Sequence, residues 1–336
     1  MDMRTLADWS VDLCADGPDS PTSHTVKVTP TAPSPCADQP VLQSSINVVN
    51  GRAYPPSCSQ QRWAMLDAAM LGRYRSSDVL IVTYPKCGTT WAEQCSLLLL
   101  HGASSELNPA HKNTYVPGAN EVGKIWVEAA VLQDPALWQR TGQEFKPLSW
   151  EQFDSAPAPR VLKSHARFAR STALGFTCSS ALTLACGSVR SLLGTAGEGA
   201  AGLPQGTKVV VVTRNPMDAC VSCYYHAWNP SKSGWPFSAW AALWASGNTA
   251  SGSWFDWTRE WWAAARPSPG GANVHWVHYE DLKSDPAGAV GALAAFLGVT
   301  DQGVVASAVA LSTFDSMKEQ AAAKVLTPSS AAAPRD

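Results

Sequence analysis

The feature that most constrains this chain is an unbroken β-branched run, Lys208-Val-Val-Val-Val-Thr213. A run without polar alternation suits a strand buried on both faces, in the middle of a parallel sheet. Asp78-Val-Leu-Ile-Val-Thr83 has the same character. Each run gives way at once to a turn and then to a helical pattern. After Thr83 comes Tyr84-Pro85-Lys86-Cys87-Gly88-Thr89-Thr90-Trp91, with a helix expected from Thr89 through Leu100. After Thr213 comes Arg214-Asn215-Pro216, with a helix expected over Met217–Trp228 and proline in its first turn. Arg160–Lys163 and Asn273–His278 read as further strands, and Ala287–Leu297 as a helix closed by Gly298. Strands alternating with helices imply an α/β fold, a central parallel sheet flanked by helices. Polar residues recur just past the strand ends, where ligands bind in such sheets.

Composition narrows the partners. Of 336 residues 45% are hydrophobic and the net charge is −2, so any anion must be held by a local site rather than by the overall field. Neither nucleic acid nor a membrane surface is an expected partner. The apolar runs are far too short to cross a bilayer. The acidic N-terminus, with Asp2, Asp8 and Asp12, carries no secretory pattern. A cytoplasmic location is the expectation, with organelle targeting by a Ser-rich leader left open. Nine scattered cysteines read as free thiols. Cys220 and Cys223 have metal-motif spacing but no second pair, so no metal is expected. The fifteen tryptophans read first as core, with those of 235–262 offering an apolar acceptor wall as the other reading. Residues 1–45, rich in Pro, Ser and Thr, read as a disordered leader. The domain is expected over 46–320, with a loop insertion at 171–206 and a flexible tail at 321–336.

A loop that follows a buried strand and opens a helix aims several N–H groups and the positive end of the helix dipole at one point. Lys86 adds a cation, Gly88 lets the backbone approach closely, and Thr89 and Thr90 offer hydroxyls. Such a site suits a pyrophosphate-like group. Lysine precedes the glycine, so this is not the Walker A order, which weakens a kinase or ATPase reading. Arg214 and Ser222, two helical turns apart, supply a planar cation and a hydroxyl to an anion.

Tyr84–Trp91 resembles the 5′-phosphosulfate loop of cytosolic-type sulfotransferases, with Cys87 where serine is commoner. The resemblance continues in order through Arg214–His226, Gly252–Phe255, Trp261-Trp262, Tyr279–Pro286 and Ser312–Lys318, and spans roughly residues 46–320. It implies a three-layer P-loop-type fold and 3′-phosphoadenosine 5′-phosphosulfate as donor. The sulfuryl group would move in line to a hydroxyl or amine of a small acceptor. Carried over residue by residue, Lys86, Cys87, Gly88, Thr89, Thr90 and Trp91 would hold the 5′-phosphosulfate. Arg214 and Ser222 would grip the 3′-phosphate. Tyr279, Ser312, Thr313, Phe314 and Met317 would line the adenosine pocket. His165, in Lys163-Ser164-His165, resembles the family's catalytic base, with Lys163 as its helper and Lys86 on the bridging oxygen. One departure stands out: the family's Arg-Lys-Gly segment, which clamps the 3′-phosphate, has no counterpart after Lys318. That leaves a catalytically impaired nucleotide-binding relative as the alternative. The family's dimerisation segment is also without a counterpart, and the oligomeric state is left open.

Overall fold

The computed structural model describes residues 7–16, 23–31, 39–49, 52–54, 73–102, 125–126, 150–165, 206–226, 234–265 and 273–319. Its centre is a five-stranded sheet of β5 (Val79–Thr83), β6 (Ile125–Trp126), β7 (Val161–Ser164), β8 (Lys208–Thr213) and β9 (Asn273–His278). They lie in the order β6-β7-β5-β8-β9, every neighbouring pair parallel. β5 sits in the middle, held by β7 on one side and β8 on the other, so the turns after all three strands open at one edge.

Alternate side chains of these strands feed two different cores. Leu80, Val82, Leu162, Val209 and Val211 join Phe153 of α2 (Trp150–Ser155) and Ala219 of α3 (Pro216–Tyr224). The same core takes Trp244 of α4 (Phe237–Ser246) and Trp257 and Trp261 of α5 (Trp254–Ala264). Val79, Ile81, Val210, Val212 and Val277 join α1 (Thr89–His101), α7 (Pro286–Leu297) and α8 (Gln302–Leu311). This double burial is the reason the two strands lack polar alternation. The helix starts follow from sequence. Asn215 caps α3 by accepting from Met217 N ahead of Pro216, and Asp285 caps α7 through Gly288 N. α7 ends at Gly298, whose φ of 84° is a left-handed stop. A short helix α6 (Tyr279–Ser284) follows β9 directly.

Three expectations need correction. Residues 1–45 do not read as a leader in the structure, because β1 (Trp9–Ala15), β2 (Ser23–Pro30), β3 (Leu42–Val49) and β4 (Arg52–Tyr54) form an antiparallel sheet. The reason is local: His24-Thr-Val-Lys-Val-Thr29 alternates, so Val26 and Val28 turn inward, fully buried with Trp9 against Ala239, Ala242 and Leu243 of α4. Trp9 also donates its indole N–H to Ser238 Oγ at 3.0 Å. The domain boundary expected at residue 46 therefore falls inside β3. The helix expected to reach Trp228 ends at Tyr224, with residues 227–233 outside the described ones. The insertion at 171–206, apart from Gly206, and the tail at 321–336 also lie outside the described residues. Among the described residues no helix is long and apolar enough to cross a membrane.

Candidate active site

At the N-terminal end of β5 the polar groups are spent on one another. Arg160 grips Asp78 with two bonds, Nε to Oδ1 at 2.8 Å and Nη2 to Oδ2 at 2.6 Å, and both side chains are fully buried. Arg160 also donates to the carbonyls of Phe153 and Arg73, and Arg75 N donates to Asp78 Oδ2. This end is closed.

The C-terminal end is different. Tyr84 anchors the loop beneath it: its ring packs edge-on against Trp244 and Trp257, and its hydroxyl donates to Gly252 O at 2.9 Å. Lys86 then adopts a left-handed φ of 68°, uncommon for a residue with a side chain. That turn carries the chain into Gly88, the N-cap of α1, at φ 108°. A Cβ built there would meet Tyr279 Cδ2 at 2.9 Å, so glycine is required by conformation and by space alike. Gly88 O accepts the first helical bond, from Ala92 N, leaving the early N–H groups of α1 at the loop.

Arg214 arrives from the end of β8. Its guanidinium lies 4.3 Å over the Tyr279 ring, and its Nη1 donates to Lys86 O at 3.2 Å. Its Nε is buried with no partner among the described residues. An unpaired buried donor of this kind is costly unless a ligand meets it. Lys86, Arg214 and Ser222 converge on a cleft of about 600 Å³, completed by Asp218, Val221, Tyr225 and His226. Burial is the main cause that pushes the Lys86 ammonium below the usual lysine range, with the Arg214 charge adding to it. Two cations held this close, one partly desolvated, fit an anion.

His165, at the end of β7, lies beside the same loop. Its Nδ1 is 2.9 Å from Thr83 O and 3.2 Å from Thr83 Oγ1. A carbonyl can only accept, so Nδ1 carries the proton and the lone pair resides on Nε2. Burial, followed by the charges of Lys163, His226 and Lys86, lowers the imidazole to about 4 despite the bond to Thr83. It is therefore neutral at physiological pH, the form a base needs. Lys163 is not loose beside it: its Nζ lies 3.7 Å from the buried Glu93 carboxylate of α1.

The remaining predicted residues separate. Trp91 is buried and meets Tyr279 edge-on at 5.4 Å, stacking the start of α1 against the start of α6. Its indole N–H is buried without a partner among the described residues. Thr89 is buried beside Thr83, whereas Thr90 is exposed. Cys87 is fully buried in the core with Tyr84 and Trp257, and burial pushes its thiol up to about 12. Its side chain does not enter the cleft. Ser312 is buried and its hydroxyl has no hydrogen-bond partner among the described residues, Met317 packs on the core beneath α8, Thr313 is half-buried, and Phe314 is 62% exposed. Of the tryptophans, 244, 257 and 261 are core, in line with the first reading of them. Thr83 and Glu93 were not singled out from the sequence, and Tyr225 and His226 were read only as part of the Arg214–His226 segment, without a role. His226 closes the string Tyr224-Tyr225-His226, one helical turn beyond Ser222, and that spacing was a usable signal.

The sulfotransferase-domain family model matches residues 76–172 and 203–332. Sulfotransferase 1A1 of Rattus norvegicus is 28% identical over 250 residues, 72% of this chain and 67% of that protein. Sulfotransferase 1B1 of Canis lupus familiaris is 26% identical over 231 residues, 66% of this chain and 60% of that protein. The chain thus spans about two thirds or somewhat less of the curated relatives it matches. Among solved structures, retinol dehydratase in complex with androsterone and the inactive cofactor PAP aligns with a TM-score of 0.54 at 18% identity. That alignment covers 93% of this chain and 82% of that one, and it supports the fold alone. With the domain match running through loop, base strand and Arg214, the chain belongs to the sulfotransferase family.

Proposed function

We propose that the protein is an active sulfotransferase that moves the sulfuryl group of 3′-phosphoadenosine 5′-phosphosulfate to a hydroxyl or amine of a small acceptor in the cytoplasm. The observation that carries this reading is the convergence of Lys86, Arg214 and Ser222 on one cleft, with the buried Arg214 Nε lacking an acceptor among the described residues. Donors on the loop and on Arg214 with Ser222 suit a nucleotide that carries two anionic groups. Lys86 and the N–H groups at Gly88–Thr90 hold the 5′-phosphosulfate, and Arg214 and Ser222 hold the 3′-phosphate. Tyr279, pinned between Arg214 and Trp91, forms the aromatic floor. The retinol dehydratase neighbour was solved with PAP and androsterone, a nucleotide and a small molecule of the kinds this reading assigns to the site.

In this reading His165 Nε2 takes the acceptor's proton while the acceptor oxygen bonds to sulfur. The bond from sulfur to the bridging phosphate oxygen breaks in line. Lys86 neutralises the charge that appears on that oxygen, help that is strongest in a partly desolvated site. The products are the sulfated acceptor and 3′-phosphoadenosine 5′-phosphate. Lys163, held by Glu93, keeps a positive charge near the base and the transferring group. The buried position of Cys87 argues against its side chain as a direct ligand, although its backbone contributes to the turn.

The test is transfer of labelled sulfate from the donor to a panel of phenols, alcohols and amines. His165→Ala is expected to reduce turnover by about 10²–10⁴-fold, the range for loss of a general base, with PAP binding retained. Unchanged turnover in that variant would remove His165 from the mechanism.

A further inference from the structure

The end of β5 does more than carry the loop. Thr83 Oγ1 lies 2.6 Å from Thr89 Oγ1 and 3.2 Å from His165 Nδ1, while Thr83 O lies 2.9 Å from the same ring nitrogen. Thr83 is fully buried and Thr89 nearly so. We propose that Thr83 is a positioning residue that couples the His165 base to the donor loop through a directed hydrogen-bond chain. The inference rests on the reading of His165 as base.

The direction follows from one fixed group. The Thr83 carbonyl can only accept, so Nδ1 bears the proton and is also a donor toward Thr83 Oγ1. That oxygen, accepting from the ring, turns its own proton to Thr89 Oγ1. Thr89 accepts it and so keeps its own proton for another acceptor. It does so in the first turn of α1, where the loop gathers an anion. The chain therefore runs His165 N–H, Thr83 O–H, Thr89 O–H, toward the cradle. Its bonds polarise one another in the buried setting. An anion at the loop strengthens each donor in turn and makes the ring a better base, so base strength and donor occupancy are linked. The same face of α1 presents Glu93, one turn after Thr89, to Lys163 on β7. The loop helix and the base strand are thus tied at two points, of which Thr83 is the one that reaches the ring. The charged and titratable groups facing His165 are Lys163, His226 and Lys86. None belongs to the chain, so they stay in place when Thr83 is changed.

The test uses the full chain with Thr83→Val, which keeps shape and carbonyl but removes the hydroxyl, and Thr83→Ser, which restores it. Three readouts are taken: the melting curve, the 15N signals and titration of the His165 ring with and without PAP, and kcat against donor KM. In the unaltered protein the ring is expected as the Nδ1–H tautomer, titrating at higher pH with PAP bound. Thr83→Val is expected to fold and to show less than half of that PAP-induced shift. Its kcat should fall about tenfold, the value of one oriented hydrogen bond, with donor KM within threefold. Thr83→Ser should return kcat to within threefold. An Nε2–H ring in the unaltered protein overturns the proposal. So does a full PAP-induced shift in Thr83→Val, or a folded serine variant as impaired as the valine one. If Thr83→Val does not fold, the serine variant's titration and the tautomer of the unaltered protein decide. His165→Ala separates the two ideas. If that variant turns over normally the base reading fails; if it is inactive while Thr83→Val is normal, only the Thr83 coupling fails.

Discussion

β5 has two ends, and they use their polar residues in opposite ways. At its start Arg160 spends two N–H groups on Asp78 and two more on the carbonyls of Phe153 and Arg73. At its finish Lys86 sits in a strained left-handed turn, Arg214 Nε has no partner among the described residues, and His165 is held neutral. Five residues of buried β-branched or aliphatic strand separate the two. A closed end fixes the strand; an open end keeps donors for something that is not protein. Strain and unmet donors at one end persist because the other end and both cores over-determine the strand.

Changes at the two ends should fail in different ways. The largest effect is expected at the closed end. Asp78→Ala leaves Arg160 charged and buried without its carboxylate, and should destabilise the fold by about 3–5 kcal/mol in a denaturant titration. A loss under about 1 kcal/mol would show that the pair is not the strand's anchor. A smaller effect separates the ends by pH. His165 is depressed to about 4 from the ordinary 6.5, so the free protein keeps its base through mild acid. The kcat/KM profile should therefore stay flat from neutrality down to about pH 5 and fall only near 4. For stability the sign is that of a depressed group. Its contribution is present above 6.5 and is lost as pH falls through the folded value, because the unfolded chain binds the proton first. An acid limb near 6.5 would contradict the described burial of the ring. The smallest effect concerns Cys87. With its side chain in the core, Cys87→Ser should leave PAP affinity within about threefold and cost at most about 1–3 kcal/mol for burying a hydroxyl. A tenfold change in affinity would return the side chain to the cradle.

Much of this was legible in the sequence, for reasons that particular residues make plain. Val79–Val82 and Val209–Val212 announce themselves because each alternate side chain meets a different core, so no position can be polar. Gly88 is legible because its φ and its contact with Tyr279 admit no other residue. Lys86 was read at the 5′-phosphosulfate and Arg214 with Ser222 at the 3′-phosphate, and all three line one cleft. The N-terminal sheet was hidden because its burial depends on a distant partner. Val26 and Val28 have a core only when α4, more than two hundred residues away, supplies Ala239 and Leu243. Thr83 was hidden because a threonine ending a β-branched run looks like one more strand former. Only the approach of His165 and Thr89 gives its hydroxyl a task. The direction of the Cys87 side chain was not legible, because a loop motif lists residues without their direction; after the left-handed Lys86 it lies fully buried.

The central claim is that the open end of β5 binds a nucleotide with phosphates at both ends of its ribose. Calorimetric titration with 3′-phosphoadenosine 5′-phosphate and with ATP, on the unaltered protein and on Lys86→Ala, tests it most directly. The account predicts clear preference for the bisphosphate. It also predicts about a tenfold to hundredfold loss in Lys86→Ala, the value of one charge-assisted contact. Preference for ATP, or equal affinity in the two proteins, would contradict it.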